Sequence, residues 1–328
     1  MNVAIQVKDL TKSFADLIAV NHISFEIKQG EIFGLLGPNG AGKTTTISML
    51  ATMQKPTAGS ALIQGKDIQK DEDGVRRSIG IVFQDQSLDE ELTAAENMDF
   101  HGRLYRIPPD IRKQRIDELL RLVELYERRN DLVKTFSGGM RRRLEIARGL
   151  LHHPLVLFLD EPTLGLDPQT RNHLWQYIAS LSKEKNITII LTTHYMEEAD
   201  RLCDRVAIID HGTIIALDTP QNLKDGIGGD IISIKTPDLN TALQVLSEPW
   251  MERVELHNDE VRICLHSAEQ HISDVITLLR QYHVQIHSVS VHKPTLEDVF
   301  LAYTGKTIRE QESDRKEMMR RHFMMRRH

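Results

Sequence analysis

One glycine-rich octapeptide limits what this chain can fold into more than any other feature. Residues 37–44 read GPNGAGKT and match the pattern G-x-x-x-x-G-K-[ST], between an apolar run at 32–36 and a helix-forming run from Gly42. Glycines let the main chain turn its N–H groups towards an anion at positive φ, with no Cβ in the way. The segment therefore predicts a phosphate-binding loop, in which Lys43 reaches the β- and γ-phosphates and the Thr44 hydroxyl binds Mg²⁺. A chance glycine-rich turn is the alternative, and the flanking strand and helix disfavour it.

The pattern around this loop predicts the fold class. Apolar runs rich in branched residues, at 32–36, 155–159, 187–192 and 205–210, alternate with helical patterns from 42 and at 171–182. Such alternation is typical of a mostly parallel sheet covered by helices. Between residues 87 and 151 the strand signal gives way to charged amphipathic patterns. We therefore predict an α/β fold of the P-loop NTPase type over residues 1–220, with an inserted helical subdomain at about 87–151.

Two successive carboxylates follow the apolar run at 155–159. Open α/β sheets carry their catalytic groups at the carboxyl ends of strands, and Asp160-Glu161-Pro162 stands at such an end. Side chains alternate along a strand, so Asp160 is expected to face the metal while Glu161 points towards an attacking water. An adjacent Asp-Glu pair is more often surface charge. The buried strand before it and the phosphate loop upstream favour the catalytic interpretation.

A second domain is predicted after the turn-prone segment DGIGGD at 225–230. Its pattern indicates strands at 231–235, 252–256, 260–265 and 284–291, with helices at 239–246 and 268–282. This βαββαβ order predicts a small α+β domain of the ferredoxin-like type over residues 230–305. Residues 306–328 are basic and rich in methionine, and we expect a disordered, solvated tail, with a membrane-surface or partner-binding helix as the alternative.

The composition narrows the classes of protein to consider. The 328 residues, enough for about two domains, carry 41 basic and 47 acidic side chains, and a net charge of -6 does not favour a nucleic-acid partner. The two cysteines are far apart in sequence and indicate neither a disulfide framework nor a closely spaced metal pair. The sequence shows neither a signal peptide nor an apolar run of the roughly 18 residues that a membrane span needs.

The order of the motifs resembles that of the ABC transporter ATPase family. Ser137-Gly138-Gly139 lies between the phosphate loop and Asp160, directly ahead of a helical run at 140–151. Around it stand, in the family's order, the remaining motif residues over about 3–212: Gln84 after a short strand, Asp160-Glu161, Leu166-Asp167, and His194 after the run at 187–193.

The resemblance implies ATP and Mg²⁺ as ligands, and two copies of the chain that sandwich two ATP molecules. It implies that Thr44, Gln84 and Asp160 serve Mg²⁺, that Lys43, Gln84, Glu161 and His194 are catalytic, and that Asp167 acts across the dimer. Phe14 is expected to stack on the adenine. The expected nucleotide contacts are therefore Phe14, Gly37, Pro38, Asn39, Gly40, Ala41, Gly42, Lys43, Thr44, Thr45, Ser137, Gly138, Gly139 and Asp167. The family's usual Leu-Ser-Gly-Gly-Gln reads FSGGM here, so that Met140 replaces the glutamine.

The C-terminal run PTLEDVFL at 294–301, followed by Tyr303-Thr304-Gly305, is similar to the ending of the daunorubicin-resistance type of exporter ATPase. This resemblance implies a separate integral membrane permease of the ABC-2 kind as partner, and a place on the cytoplasmic face of the membrane. A plain amphipathic helix that starts at a proline is the alternative. Two other functions stay open at this point: an ABC ATPase that acts on nucleic acid or the ribosome, and an importer subunit.

Overall fold

The computed structural model describes residues 2–15, 17–85, 87–257 and 259–305, and the chain divides between Asp218 and Thr219 into two compact units. The predicted tail at 306–328 lies outside the described residues. In the described part of the chain, no helix combines the length and the apolar character that a membrane crossing needs.

The N-terminal unit contains two sheets. Its strands are β1 (Val3–Phe14), β2 (Leu17–Lys28), β3 (Ile32–Leu36), β4 (Ala58–Ile63), β5 (Lys66–Asp67), β6 (Ile79–Val82), β7 (Val156–Asp160), β8 (Thr188–Thr193), β9 (Arg205–Asp210) and β10 (Thr213–Asp218). The larger sheet has the order β10-β9-β3-β8-β7-β6 and is parallel except for its edge strand β10. The smaller sheet, β2-β1-β4-β5, is antiparallel throughout. The predicted α/β class with a mostly parallel sheet is confirmed.

The parallel sheet could be predicted from the sequence, whereas the antiparallel sheet could not. Every residue of β3, β7 and β8 is buried, and one face of their sheet shares a core with α1 and the antiparallel sheet. Parallel strands that are covered on both faces appear in a sequence as continuous apolar runs. The antiparallel sheet was not predicted. Its strands β1 and β2 pair with four register shifts. Each shift of one residue exchanges the two faces of a strand, so a simple alternation of polar and apolar residues is lost.

Two short 3₁₀ helices, Tyr126–Arg128 and Val133–Thr135, and seven α-helices complete the described part of this unit. The α-helices are α1 (Lys43–Leu50), α2 (Glu72–Ser78), α3 (Ala94–Leu104), α4 (Pro109–Leu122), α5 (Gly138–Leu150), α6 (Pro168–Lys185) and α7 (Met196–Leu202). Helices α3, α4 and α5 pack around a core of their own, separate from the core that the two sheets share with α1. Thr93 begins α3 with a capping box that it forms with Glu96. The inserted segment therefore brings its own apolar core and helix caps.

The C-terminal unit consists of α8 (Pro220–Asp225), β11 (Asp230–Lys235), α9 (Leu239–Val245), β12 (Arg253–His257), β13 (Glu260–Leu265), α10 (Ala268–Gln281), β14 (Ser288–His292) and α11 (Leu296–Thr304). The sheet has the order β12-β13-β11-β14 and is antiparallel. From β11 to β14 the order is the predicted βαββαβ. The last strand begins four residues later than predicted, because Val284 still donates its main-chain N–H to Leu279 at the end of α10.

Candidate nucleotide-binding site

The loop between β3 and α1 needs glycine for steric reasons. Gly42 has φ 106°, and a Cβ there would lie 2.5 Å from the carbonyl oxygen of Ala19. At Gly37 a Cβ would lie 2.2 Å from the carbonyl oxygen of Ile209. No acidic residue lies in the first turn of α1, so its positive end is not offset locally. The close packing at Gly37 and Gly42 and the unopposed start of α1 are features that a phosphate-binding loop requires.

Lys43, the first residue of α1, is buried and turns back over this loop. Its ammonium group donates to the carbonyl oxygens of Gly37 at 2.7 Å and Pro38 at 3.1 Å. It also lies 3.5 Å from Oε1 of Glu161. The positive charge is therefore placed between the phosphate loop and the carboxyl end of β7.

Two of the three residues predicted for Mg²⁺, Thr44 and Asp160, meet at the end of β7. Thr44 donates its hydroxyl to Oδ1 of Asp160 at 3.2 Å, and the Thr192 hydroxyl from β8 donates to the same oxygen. Carboxylate and hydroxyl oxygens are hard ligands of the kind that Mg²⁺ prefers, so this donor set fits the ion. Gln84 follows β6, the strand next to β7, and its side chain is exposed. Its place at the same edge of the sheet is compatible with a role near the metal.

Glu161 occupies the centre of the site. Its Oε1 faces Lys43, and its Oε2 lies 3.0 Å from Nδ1 of His194, the residue after β8. Its main chain has φ 47°, in the left-handed region, and its N–H donates to the Thr192 hydroxyl at 3.0 Å. Burial acts to raise the pKa of Glu161, but His194 and Lys43 together outweigh it, so that the pKa lies below its ordinary value. The carboxylate is consequently ionised at neutral pH.

The remaining predicted residues lie at the surface of the unit. Ser137 is exposed and caps α5 by accepting a hydrogen bond from the N–H of Met140 at 3.3 Å. Asp167 is exposed and caps α6, where the hydroxyl and the N–H of Thr170 hold the pKa of its carboxylate below the usual value. Gly139 is buried close to Thr170, because a Cβ there would lie 2.3 Å from Cγ2 of that threonine. The starts of α5 and α6 therefore lie side by side.

Phe14 ends β1 and is 44% exposed, and the ammonium of Lys12 lies 5.0 Å from its ring centroid. An exposed aromatic ring suits stacking on a base. Thr192 is the residue at the site that the sequence analysis missed. It bridges Asp160 and Glu161, and the available signal was a polar residue near the carboxyl end of an otherwise apolar strand.

A buried carboxyl lies four residues after His194 in the sequence. Glu198 on α7 is fully buried, and its Oε1 accepts hydrogen bonds of 2.9 Å from the Thr163 hydroxyl and from the Trp175 indole. Burial raises the pKa of Glu198, and the hydrogen bonds offset only part of that effect. It joins α6 and α7 to the segment that follows Glu161.

Replacing Glu198 with Gln is expected to change how stability depends on pH. A carboxyl whose pKa is raised in the folded state contributes stability below its unfolded pKa of about 4.3 and loses it as the pH rises through the folded value. As the pH rises, the parent should lose the stability that protonated Glu198 contributes to the folded state. The variant has no titrating group at this position and should show no such loss. The Tm of the variant relative to the parent should therefore increase from pH 4 to pH 7. Glu197→Gln, at an exposed neighbour, is the control, and a pH-independent difference for Glu198→Gln would contradict the prediction.

Two family models match this chain in succession. The model described as "ABC transporter" matches residues 20–164. The model described as "ATP-binding protein DrrA1-3-like, C-terminal domain" matches residues 219–304. The two matches fall on the two units of the structure.

Curated relatives cover nearly the whole chain. The linearmycin resistance ATP-binding protein LnrL of Bacillus subtilis is 41% identical over 93% of this chain and 100% of its own length. The Nod factor export ATP-binding protein I of Ralstonia nicotianae is 40% identical, over 93% of this chain and 95% of its own. The daunorubicin/doxorubicin resistance ATP-binding protein DrrA of Streptomyces peucetius is 39% identical, over 92% of each.

Solved structures match the larger part of the chain. One is cbiO1 from Clostridium perfringens, described as part of the ABC transporter complex cbiONQ, with TM-score 0.64 and 31% identity over 68% of this chain and 91% of that one. Another is the ATP-binding cassette MJ0796 in a dimeric post-hydrolysis state bound to ADP and Pi. It has TM-score 0.59 and 29% identity over 66% of this chain and 98% of that one.

Proposed function

The chain belongs to the ABC transporter family of ATP-binding proteins, and we propose that two copies of it clamp two ATP molecules and so drive export through a separate membrane permease of the ABC-2 type. It is an ATP-binding and ATP-hydrolysing exporter subunit. In this proposal, the permease holds the subunit at the cytoplasmic face of the membrane. The names of the relatives favour export over import or action on nucleic acid.

The observation that supports the chemistry is that Lys43 and His194 both lie against the carboxylate of Glu161. An ionised carboxylate at this position serves as general base for the water that attacks the γ-phosphate. Lys43 and His194 lie on either side of it. By charge or by hydrogen bonding, they can stabilise the negative charge that develops on the phosphoryl oxygens. Phosphoryl transfer is catalysed mostly by positioning and electrostatics, and this site supplies both.

The metal site completes this arrangement. Thr44 and Asp160 would hold Mg²⁺, with Gln84 near the ion or its water. Bound there, Mg²⁺ would supply positive charge that offsets the negative charge of the phosphate oxygens. Thr192 keeps the Asp160 carboxylate in place through its hydroxyl, so the donor set is oriented by the protein itself.

The exposed start of α5 supports the dimeric part of the proposal. Ser137 and Gly138 are open to solvent, and the first turn of α5 contains no acidic residue. A helix N-terminus of this kind attracts a phosphate group. We place the γ-phosphate held by one copy against Ser137 and Gly139 of the other, with the exposed Asp167 beside them.

Replacing Ser137 with Arg is expected to separate ATP binding from dimer formation. The bulky side chain should block the approach of the second copy, while the phosphate loop of the same copy is unchanged. An isolated subunit should therefore bind ATP with a Kd within about threefold of the parent, and light scattering at millimolar ATP should show monomer. Ser247→Arg, at an exposed serine of the C-terminal unit, should leave both properties intact. Loss of ATP binding by the Ser137→Arg monomer would show that this segment does not act across the dimer.

A further inference from the structure

Arg142 of α5 is a buried guanidinium whose acceptors include three main-chain carbonyls. Its Nη2 donates to the carbonyl oxygen of Asp160 at 2.7 Å and its Nε to that of Pro162 at 3.0 Å. Its Nη1 donates to the carbonyl oxygen of Phe83. The side chain is 8% exposed. The sequence analysis gave this residue no role, since main-chain acceptors have no signature in the sequence.

Two of these carbonyls lie on either side of Glu161. A residue other than glycine at positive φ is held there at a cost, and it persists only when its surroundings fix the main chain. The guanidinium is a planar fork with donors at a fixed spacing, so it can hold the peptide group before Glu161 and the peptide group after Pro162 at the same time. The N–H of Glu161 is fixed independently by Thr192. Arg142 thus helps to hold the left-handed turn that points the Glu161 carboxylate at Lys43 and His194.

The third carbonyl connects the same guanidinium to the segment that contains Gln84. Phe83 directly precedes Gln84 in the chain. Beyond Gln84, the N–H of Ser87 donates at 2.9 Å to Oε1 of Glu145, and Glu145 pairs through Oε2 with Arg142 at 3.0 Å. The pair Arg142–Glu145, spaced i and i+3 on α5, therefore holds this segment on both sides of Gln84.

We propose that Arg142 is a positioning residue for ATP hydrolysis, which fixes the main chain of Glu161 and ties it to α5 and to the Gln84 segment. This role rests on the proposed function, in which Glu161 is the general base. Ser137 caps the start of the same helix, five residues before Arg142. The helix that would meet the nucleotide of the second copy is therefore the helix that holds the base of its own site.

The substitution Arg142→Lys tests whether the geometry of the guanidinium, and not its charge alone, is needed. Lysine keeps the charge but presents a compact ammonium, which cannot hold two flanking carbonyls in a fixed geometry. A displacement of the base by about 1 Å costs up to roughly 100-fold in rate, so kcat should fall by about 10- to 100-fold. The Kd for ATP should stay within about threefold, because the phosphate loop is not involved. An unchanged kcat would overturn the proposal.

Arg143→Lys is the matched control. Arg143 lies next in the same helix, and its guanidinium bonds the carbonyl oxygen of Val123 and the carboxylate of Glu124, each at 3.0 Å, within the helical subdomain. The same exchange of arginine for lysine there should leave kcat within about threefold of the parent. A comparable loss of kcat in both variants would show that the helix, and not the carbonyls around Glu161, is what matters.

A double-mutant cycle with Glu161→Gln tests whether Arg142 acts through Glu161. If it does, the loss from Arg142→Lys disappears once the base is absent, and the double variant turns over ATP within about threefold of Glu161→Gln alone. Losses that multiply would overturn the proposal. Failure of the proposed function has a different signature, because Glu161→Gln alone would then hydrolyse ATP at the parent rate.

A second pair of substitutions separates positioning from folding. Replacing a buried ion pair by apolar residues of similar volume is often neutral or stabilising. Arg142→Met combined with Glu145→Leu should therefore lower the Tm less than Arg142→Met alone, which leaves the buried Glu145 carboxylate unpaired. The folded double variant should still hydrolyse ATP slowly, since no donor remains for the carbonyls of Asp160 and Pro162. Parent-like turnover in this folded double variant would assign the pair a purely structural role and overturn the proposal.

Discussion

Replacing Glu161 with Gln is expected to slow ATP hydrolysis by roughly 10² to 10⁴, the usual range for a positioned general base. Glutamine has nearly the same shape, and it adopts the left-handed main chain of Glu161 no less easily than glutamate. ATP binding should persist, because Lys43 and the phosphate loop are intact. The variant should accumulate as an ATP-bound dimer, which light scattering at millimolar ATP and Mg²⁺ would detect.

Glu31→Gln is the control for this substitution. Glu31 is also buried and ion-paired, 3.2 Å from Arg205, but it precedes β3 and so lies at the opposite end of the parallel sheet from the loop that follows β3. Its variant should hydrolyse ATP within about threefold of the parent. Equal rates for the parent and Glu161→Gln would rule out Glu161 as the base. A slow variant that remains monomeric with ATP would instead contradict the sandwich of two copies.

Removing the Lys43 side chain should weaken the binding of ATP itself. A hydrogen bond to a charged group contributes about 1.5 to 3 kcal/mol, so Lys43→Ala should raise the Kd for ATP by roughly 10- to 150-fold. Hydrolysis should fall as well, since the same ammonium faces the Glu161 carboxylate. Equilibrium binding of a fluorescent ATP analogue gives the first quantity, and phosphate release at saturating ATP gives the second.

Lys66→Ala is a matched control for Lys43→Ala. Lys66 also donates to a main-chain carbonyl, that of Gly74 at 3.1 Å, but it belongs to the antiparallel sheet. Its removal should leave the Kd for ATP unchanged. If Lys43→Ala binds ATP as tightly as the parent does, the loop at 37–44 is not the phosphate site.

Strands buried on both faces were predictable from the sequence almost to the residue. The predicted runs 32–36 and 205–210 coincide with β3 and β9, because covered parallel strands leave continuous apolar runs. The antiparallel sheet was not predicted, since the bulges in β1 and β2 break the alternation that marks such strands. The order of elements from β11 to β14 was predictable because turn-forming residues separate short, regular segments.

Site residues that belong to a sequence motif and act through their side chains could also be predicted from the sequence. Lys43, Asp160 and Glu161 were singled out from the sequence, and the structure brings them together. Thr192 was missed because its contact with Asp160 depends on β8 lying beside β7, which no local pattern encodes.

The acceptors of Arg142 determine where mutations can reveal its role. Substituting the side chains of Phe83, Asp160 or Pro162 leaves their carbonyl oxygens in place, so no such substitution deletes an acceptor of Arg142. A mutational scan of the whole chain would therefore detect these contacts at position 142 and, through the ion pair, at position 145. Effects at positions 83, 160 and 162 would report on the side chains there and not on the carbonyls that Arg142 holds. Searches for pairs of positions that vary together would miss them for the same reason. Only structure, or a change to the main chain itself, exposes a network whose acceptors every amino acid carries.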